Sequence, residues 1–219
     1  CMKRGLLLYG MNCTVDIWDG LNDAFSGFDV DFVTYPHEIT RNAHRVSDIT
    51  KWVYETYGDE HFDFLLGHSM GGIIALELAS KYKFDCEAVV FIESNLRPAK
   101  KFYRNLMMPG NMRTFGDYVK SMLQSEAPFY GDDLKSSLQQ NFDFTPYLYG
   151  IKGSIFGIYG DRGVANYSGR ISDLCLDKAA EEKIGFRFVG NACHMPMIEN
   201  PTELAAIILR CIAGDNENN

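Results

Sequence analysis

The chain has 219 residues, of which 46% are hydrophobic and 23% charged, and its formal net charge at pH 7 is -8. This length suits one domain, or one domain with an insertion, and the composition is ordinary for a soluble globular protein. The acidic balance argues against nucleic acid or an anionic membrane as a partner, and no basic run with interleaved aromatics is present. No apolar run approaches the ~18 residues that a membrane span needs.

The six cysteines form no C-x-x-C pair and no zinc-type spacing with histidine. We therefore expect free thiols in a reducing compartment and no metal site. We expect no secretory signal in the first residues, because the apolar run at residues 6–8 is far too short for one. The expected location is the cytoplasm.

Strand and helix patterns alternate along most of the chain. In chain order they predict strands at 5–9 and 30–35, a helix at 42–57, a strand at 62–66, a helix at 70–82, strands at 88–92 and 154–159, a helix at 171–184, a strand at 186–189, a helix at 201–212 and a frayed polar tail at 215–219. Strands without a polar face, alternating with amphipathic helices, are typical of a parallel sheet covered on both faces. We predict an α/β fold with a mostly parallel, doubly wound sheet of about six strands.

The alternation stops between residues 95 and 150, which are rich in aromatic residues and methionine and indicate short helices without a strand. We predict a helical cap inserted here, with residues 1–94 and 151–219 forming the core domain. The aromatic and methionine side chains of the insertion either form a small core of their own or make an apolar wall over a substrate pocket. The sequence leaves both interpretations open.

The stretch Gly67-His68-Ser69-Met70-Gly71 has the pattern G-x-S-x-G and lies between a predicted strand and a predicted helix. That context is the one in which the pattern presents a nucleophilic serine. A turn this tight needs glycine, because larger side chains would collide with neighbouring backbone. The turn raises the Ser69 hydroxyl above the strand end and directs the first amides of the next helix, an end that favours anionic charge, at a substrate.

A serine hydroxyl is a weak nucleophile at neutral pH and needs a base. His194 follows the last predicted strand, and loops at the carboxyl ends of parallel strands are where such sheets build their sites. We therefore predict that His194 is the base. The other histidines precede the serine or lie within its turn and are expected to face solvent or to pack against backbone: His37, His44, His61 and His68.

Three stretches together resemble the α/β-hydrolase fold family. They are the elbow GHSMGG at 67–72, the loop GNACHMPMIENP at 190–201 and the opening LLLYGMNCTVDIW at 6–18. The opening is similar to the family's oxyanion-hole strand and loop, although Tyr9-Gly10 stands where His-Gly is usual. The similarity covers the whole chain apart from the insertion. Family members usually have two further strands before this point, so the resemblance implies a trimmed, six-stranded sheet.

The resemblance also implies roles for particular residues. Ser69 would be the nucleophile, and His194 would act first as general base and then as general acid. The backbone amides of Met11 and Met70 would form the oxyanion hole. A mechanism of this kind needs no metal ion and no organic cofactor.

The acid that should orient His194 has two candidates. The family's usual position, three residues past a glycine after the next-to-last strand, holds Gly163, and Asp161 lies two residues early. A second position used in the family, at the end of the strand after the elbow, holds Glu93. Burying an unpaired charge is costly, so a carboxylate that ends an all-apolar strand needs a partner such as an imidazolium. We favour Glu93 and retain Asp161; the non-catalytic alternatives are a helix cap or a salt bridge to Arg97 for Glu93, and an Asx-turn with a bridge to Arg162 for Asp161.

These residues favour a serine hydrolase that cleaves a small-molecule acyl substrate, namely a carboxylic ester, thioester or lactone, through an acyl-enzyme. A second hypothesis is a ligand receptor or carrier on the same fold with slow turnover or none. A third is another reaction on this scaffold: acyl transfer, peptide hydrolysis or cofactor-free oxygen chemistry. The motifs specify neither the acyl group nor an oligomeric state.

Overall fold

The structure is a computed structural model that describes residues 2–214, so the tail predicted at 215–219 lies outside the described residues. Within the described range the backbone forms six strands and eight α-helices. The strands are β1 (Arg4–Leu8), β2 (Asp29–Phe32), β3 (Phe64–His68), β4 (Ala88–Ile92), β5 (Ser154–Gly160) and β6 (Gly185–Val189). The helices are α1 (His37–Asn42), α2 (Val46–Tyr57), α3 (Met70–Ser80), α4 (Pro109–Glu126), α5 (Asp132–Ser137), α6 (Lys178–Lys183), α7 (Pro196–Glu199) and α8 (Pro201–Ala213).

The six strands form one parallel sheet in the order β2-β1-β3-β4-β5-β6. Every residue of β3 and β4 is buried, as expected for central strands with helices over both faces. Helix α3 packs against β1, β3 and β4, and α8 packs against β4 and β6. The predicted α/β fold with a six-stranded, doubly wound sheet is confirmed, and the pairing is wholly parallel. No helix formed by residues 2–214 combines the length and the hydropathy that a membrane crossing requires.

The carboxyl ends of the central strands meet at one edge of the sheet. His68 at the end of β3 pairs with Ile92 at the end of β4, and Ile92 pairs with Ile158 of β5. Gly160 at the end of β5 pairs in turn with Val189 at the end of β6. This register brings together the residues that follow these strand ends: Ser69, Glu93, Asp161 and Gly190. The fold therefore collects at one place most of the residues that the sequence singled out.

The helix predicted at 42–57 is wrong at its start. Ala43 and Arg45 have extended backbone, with ψ of 130° and 166°, and α2 begins only at Val46. The carboxylate of Asp48 accepts the backbone N–H groups of His44 at 2.9 Å and Arg45 at 3.2 Å. An acid in the third helical position that binds preceding amides stabilises a helix start, so Asp48 sets this one.

The continuous helix predicted at 171–184 is also wrong. Residues Ser172–Leu174 form one 3₁₀ turn, which ends at Cys175 in a left-handed conformation with φ of 58°. Helix α6 then begins after Asp177, whose Oδ1 accepts the backbone N–H of Ala180 at 2.8 Å. Asp177 is an N-cap, and a helix cannot run through the residue that caps its beginning.

The described backbone between residues 95 and 150 contains helices and turns and no strand, as predicted. It comprises α4, α5 and the 3₁₀ helices Lys101–Tyr103, Ala127–Phe129 and Thr145–Leu148. Helix α4 has 18 residues, so the expectation of only short helices is wrong. That residues 95–150 act as a separate cap domain stays a prediction.

Candidate active site

Ser69 lies on a sharp turn between β3 and α3. Its backbone has φ of 53° and ψ of -121°, a conformation that non-glycine residues rarely adopt. The turn is held from two sides: the Ser69 N–H donates to the carbonyl of Ile92 at 2.8 Å, and the Ser94 hydroxyl donates to the Ser69 carbonyl at 2.7 Å. A strained residue that its surroundings hold in place is typical of functional positions.

Two glycines allow neighbouring chain segments to approach this turn. A Cβ atom on Gly71 would lie 2.0 Å from the carbonyl oxygen of Leu8, which is inside any allowed contact. A Cβ atom on Gly10 would lie 2.9 Å from the Cβ atom of Ser69. The collision with backbone predicted for the G-x-S-x-G turn is therefore present at Gly71, and the loop after β1 comes close to the nucleophile position only because Gly10 has no side chain.

A cavity of about 330 Å³ opens beside Ser69. His194 lines it, and so do Met11 and Met70, the two residues expected to supply oxyanion-hole amides. The remaining lining residues come from several elements: Asn12, Cys13, Ile73, Glu93, Asn95, Leu106, Leu123, Leu138, Gln139, Phe142 and Met195. Residues from the amino-terminal, central and carboxyl-terminal thirds of the chain thus share one cavity.

The inserted segment contributes both apolar and polar residues to this cavity. Leu106, Leu123, Leu138 and the aromatic Phe142 line it, together with the polar Asn95 and Gln139. Nine of the other aromatic and methionine side chains belong to the hydrophobic core that also contains the sheet residues. Four of them are buried, Tyr103, Met107, Met122 and Tyr130, and five are partly buried against it: Phe102, Met112, Phe129, Phe144 and Tyr147. The insertion therefore packs on the main core rather than forming a small core of its own, and Phe142 contributes to the pocket wall.

Glu93 begins the turn after β4 and lies beside His194. Its Oε1 is 3.6 Å from His194 Nδ1. The side chain of Glu93 is 2% exposed, whereas that of His194 is 33% exposed and reaches the cavity. The structure therefore places Glu93 within ion-pair distance of the imidazole nitrogen that a triad acid would contact.

Glu93 is also paired with a cation, Arg162. Arg162 Nη1 donates to Glu93 Oε2 at 2.5 Å and Nη2 donates to Oε1 at 2.6 Å, which is a bidentate ion pair. Burial by itself would raise the pKa of the Glu93 carboxyl. The hydrogen bonds and charge of Arg162, with a smaller contribution from His194, outweigh burial and hold this pKa below its ordinary value. Glu93 is therefore ionised at neutral pH.

Asp161 has a different role in the structure. Its Oδ1 accepts the N–H of Gly163 at 2.7 Å and the N–H of Asn191 at 2.8 Å. The first contact is the expected Asx-turn. The surface bridge from Asp161 to Arg162, which was part of the non-catalytic alternative for Asp161, is absent because Arg162 turns inward to Glu93. The alternative bridge from Glu93 to Arg97 is absent as well, because Arg97 pairs with Asp143 and Asp177.

The loop that carries His194 is fastened at two points. The His194 N–H donates to the carbonyl of Leu106 at 3.0 Å. The carboxylate of Glu199 accepts the N–H groups of Cys193 and Met195 through Oε1, at 2.8 and 3.3 Å. The other oxygen of Glu199 accepts the backbone N–H of Met108 and the side-chain amide of Asn111, both at 2.8 Å and both in the inserted segment. These bonds join the loop to the start of α4.

The remaining histidines agree with their predicted surroundings. His68 is fully buried beside the loop that carries His194, and burial lowers the pKa of its imidazole to about 3. The other three are exposed and contact carboxylates at the surface: His37 with Glu126, His44 with Asp133 and His61 with Asp63.

Two residues near the site were missed from the sequence, Arg162 and Glu199. A signal for Arg162 existed, since an acid that ends an apolar strand needs a cation and an arginine follows the end of the next strand. Glu199 lies in the loop at 190–201, which carries part of the family resemblance. Its contact with the amides of residues 193 and 195 depends on a tight turn that spacing does not reveal.

Comparison with known proteins supports the same fold. A sequence profile described as alpha/beta hydrolase fold matches residues 6–116, just over half of the chain. The chain therefore belongs to the α/β-hydrolase fold family. A search of curated proteins found no significant match.

Solved structures are similar over almost the whole chain. A thermophilic esterase from Thermogutta terrifontis has a TM-score of 0.73 at 15% identity, covering 98% of this chain and 91% of the esterase. An enol-lactonase from Burkholderia xenovorans LB400 has a TM-score of 0.70 at 15% identity, covering 97% and 92%. A bromoperoxidase from Bacillus anthracis has a TM-score of 0.74 at 16% identity, covering 98% and 93%. At these identities the similarity establishes the fold, and the chemistry has to be argued from the site.

Proposed function

We propose that the protein is a serine hydrolase that cleaves a small carboxylic ester, thioester or lactone through an acyl-enzyme on Ser69. The observation that carries the proposal is the shared cavity. It is lined by a strained serine, by a partly exposed histidine backed by a buried carboxylate, and by Met11 and Met70, the two residues expected to supply oxyanion-hole amides. The esterase and the lactonase among the similar structures are compatible with this chemistry.

In the proposed reaction, His194 takes the proton of the Ser69 hydroxyl while the oxygen attacks the acyl carbon. The amides of Met11 and Met70 stabilise the oxyanion, and each such donor contributes roughly 2.7–4 kcal/mol in the transition state. His194 then gives its proton to the leaving group. In the second half, His194 takes a proton from water, the hydroxide attacks the acyl-enzyme, and the acid is released as Ser69 regains its proton. Glu93 stabilises the imidazolium in both halves.

The cavity lining indicates an uncharged acyl group. Most of the lining side chains are apolar, and Asn12, Asn95 and Gln139 are polar but neutral. Among the described lining residues, Glu93 is the one carboxylate, and its charge is paired with Arg162. An acyl chain that ends in a carboxylate would lose its hydration here without gaining a counter-charge. We therefore expect neutral aliphatic acyl groups to be preferred.

The test is steady-state hydrolysis of p-nitrophenyl esters from acetyl to decanoyl by the wild type and by Ser69→Ala. A matched control is Ser26→Ala, because Ser26 is exposed and remote from the cavity lining. Repeated turnover by the wild type and by Ser26→Ala, with none by Ser69→Ala, is the expected result. Turnover that survives in Ser69→Ala would reject Ser69 as the nucleophile.

The same variants separate hydrolysis from ligand binding without turnover. Covalent labelling of Ser69 by a fluorophosphonate, read by intact-protein mass, reports whether the serine is activated even when no ester in the series is a substrate. A wild type that neither hydrolyses esters nor takes the label, yet is thermally stabilised by a short ester, would overturn the proposal in favour of a ligand receptor.

A further inference from the structure

Arg162 binds both carboxylate oxygens of Glu93 from one side. Its side chain is 3% exposed, and it lies in the loop after β5, directly beside the end of β4. Besides its two bonds to Glu93, Nη1 donates to the carbonyl of Gly160 at 2.9 Å. The guanidinium carbon lies 4.8 Å from the ring centre of Tyr103, within range of a cation–π interaction. The arginine is thus fixed in position by the strand end and by the inserted segment.

The contacts of Glu93 account for the geometry of its carboxylate. A carboxylate offers about four lone-pair positions. Oε2 accepts from Arg162 Nη1 and from the N–H of Gly160 at 2.8 Å, and Oε1 accepts from Arg162 Nη2. One lone-pair position remains, on Oε1, which is the oxygen that faces His194 Nδ1. Arg162 and the Gly160 amide therefore leave the carboxylate one free acceptor position, which is available to His194.

The backbone of both residues is unusual in the same way. Glu93 has φ of 51° and Arg162 has φ of 53°, so each is a non-glycine residue in the left-handed region. Glu93 is the first residue after β4, and Arg162 is the second residue after β5. Conformations of this kind persist where the surroundings over-determine them, and they cluster at functional sites. The two turns direct the acid and the cation toward each other from neighbouring strands.

We propose that Arg162 is a positioning residue for the hydrolase proposed above: it directs Oε1 of Glu93 at His194, and its charge opposes the binding of an extra proton by the Glu93–His194 pair. This inference rests on the proposed function for its catalytic consequence. The loop after β5 is where the family resemblance led us to expect an acid. In this chain that loop supplies Arg162, the cation that binds Glu93 at the end of the neighbouring strand β4.

Two further carboxylates lie near the pair and are kept in every variant: Glu199, which binds the amides on either side of His194, and Asp161, which binds the amide of Asn191. The remaining ionisable groups around the pair are neutral. Burial raises the pKa of Tyr103, Tyr159 and Cys193, in the last case to about 12, and lowers that of His68 to about 3. None of these groups changes charge between mildly acidic and neutral pH. A change in the titration of the pair after substitution of Arg162 therefore reports the loss of Arg162 itself.

The sign of the expected change follows from electrostatics. A nearby cation disfavours protonation of the pair, whether the proton resides on the imidazole or on the carboxylate. Removing the cation favours protonation in both cases. The proposed base then keeps its proton up to a higher pH. The pH at which activity begins to rise therefore also moves higher.

The experiment compares the wild type with Arg162→Met, which keeps an unbranched apolar stem, and with Arg162→Lys, which keeps the charge but cannot bind both oxygens in a fork. The imidazole of His194 is followed by NMR of histidine-labelled protein across pH, and its signal is assigned by its loss in His194→Asn. We expect the titration midpoint in Arg162→Met to rise by about 1 pH unit or more. In Arg162→Lys we expect a midpoint near that of the wild type, with kcat reduced about tenfold or more and KM nearly unchanged, because orientation is lost while charge is kept.

A wild-type midpoint in folded Arg162→Met would overturn the proposal. If Arg162→Met fails to fold, which circular dichroism shows directly, Arg162→Lys decides: wild-type kcat in that variant would overturn the positioning role. The NMR titration does not depend on turnover. A wild type without ester hydrolysis, combined with a raised midpoint in Arg162→Met, would therefore reject the proposed function and leave the control of the Glu93–His194 pair by Arg162 in place.

Discussion

His68 donates a hydrogen bond from Nε2 to the backbone carbonyl oxygen of His194 at 2.8 Å. The residue that precedes the candidate nucleophile therefore holds the residue that is the candidate base, although the two are 126 positions apart in the sequence. The centres of the two rings are 4.9 Å apart. Because the acceptor is a carbonyl, the proton of neutral His68 resides on Nε2, and the position of the His194 loop depends on a histidine that stays uncharged.

The first prediction concerns the stability of the fold toward acid. His68 is buried with a pKa near 3, whereas in the unfolded chain it titrates near its ordinary value of 6.5. Below about pH 6.5 the unfolded state therefore binds a proton that the folded state excludes, and stability falls as pH falls, by up to about 1.4 kcal/mol per pH unit. Glutamine at this position keeps a donor near the place of Nε2 and does not titrate. As pH decreases from about 7.5 to about 5, the unfolding free energy of the wild type should therefore fall more steeply than that of His68→Gln.

Urea unfolding at a series of pH values measures this difference. His44→Gln is the control, because His44 is exposed and its loss should produce no comparable trend. If the unfolding free energies of the wild type and of His68→Gln changed in parallel with pH, His68 would bind its proton as readily in the folded protein as in the unfolded chain, which contradicts the prediction.

The second prediction separates the two acid candidates. Glu93→Gln should reduce kcat greatly, by about 10⁴-fold if Glu93 acts as the acid of other triads does. Asp161→Asn should reduce kcat far less, because the Asp161 carboxylate accepts loop amides that the asparagine carbonyl can still accept. Thermal melts of both variants are needed, since Glu93→Gln leaves Arg162 without its buried counter-ion. Near-wild-type kcat in Glu93→Gln, with collapse in Asp161→Asn, would reverse the assignment.

The third prediction is the pH dependence of the wild type. The base must begin the reaction without a proton, so kcat/KM should rise from mildly acidic to neutral pH as the base is deprotonated. The measurement uses an ester whose leaving group is monitored at a pH-independent wavelength. A profile that is flat over this range would count against His194 as the general base.

The fourth prediction concerns the depth of the cavity. Leu123 lines it from α4, and a larger side chain there should exclude long acyl chains while leaving acetyl esters accepted. We expect Leu123→Trp to move the optimum of the p-nitrophenyl series toward shorter chains and to lower kcat/KM for decanoyl at least tenfold relative to acetyl, about 1.4 kcal/mol. Tyr118→Trp, on the exposed side of the same helix, should leave the chain-length profile unchanged. An unchanged profile in Leu123→Trp would place the acyl group elsewhere.

The fifth prediction tests the close approach at the elbow. Gly71→Ala places a Cβ atom 2.0 Å from the backbone of Leu8, so the turn or β1 has to move, at a cost of about 1–3 kcal/mol or more. We expect a lowered melting temperature together with loss of activity. Gly27→Ala is the matched control, because a Cβ atom there has no neighbour within 4 Å. Equal melting temperatures for the two variants would contradict the packing described for the turn.

The sheet was accessible to prediction because its central strands contain short apolar runs, although β3 lies at Phe64–His68 and not at the predicted 62–66. The strand predicted at 88–92 coincides with β4, whose residues are all buried. The two wrong helix boundaries have a common cause, since Asp48 and Asp177 act through side-chain hydrogen bonds to nearby amides. In a sequence such aspartates read as ordinary polar positions of a helix, and only backbone geometry distinguishes a cap from an interior residue.

The candidate site could be predicted from the sequence where one local pattern identifies a residue. Ser69 has a local pattern, and His194 has a position after a strand. The environment of Glu93 depends on which strand lies beside β4. Once β5 is its neighbour, Arg162 is the adjacent cation, but the sequence alone admits Arg97 equally well. In the structure Arg97 pairs with Asp143 and Asp177 at the surface.

The carboxylate of Glu199 links the beginning of α4 to the turn of His194 through four hydrogen bonds, so the two segments are expected to move together. Lifting the helix start would break two bonds to Glu199 and disturb the two that hold the turn of His194, the candidate base. We therefore expect any widening of the cavity to occur around Leu138, Gln139 and Phe142, which line it and take no part in the hydrogen bonds of Glu199. Bulkier substrates would then be admitted without displacing the turn that carries His194.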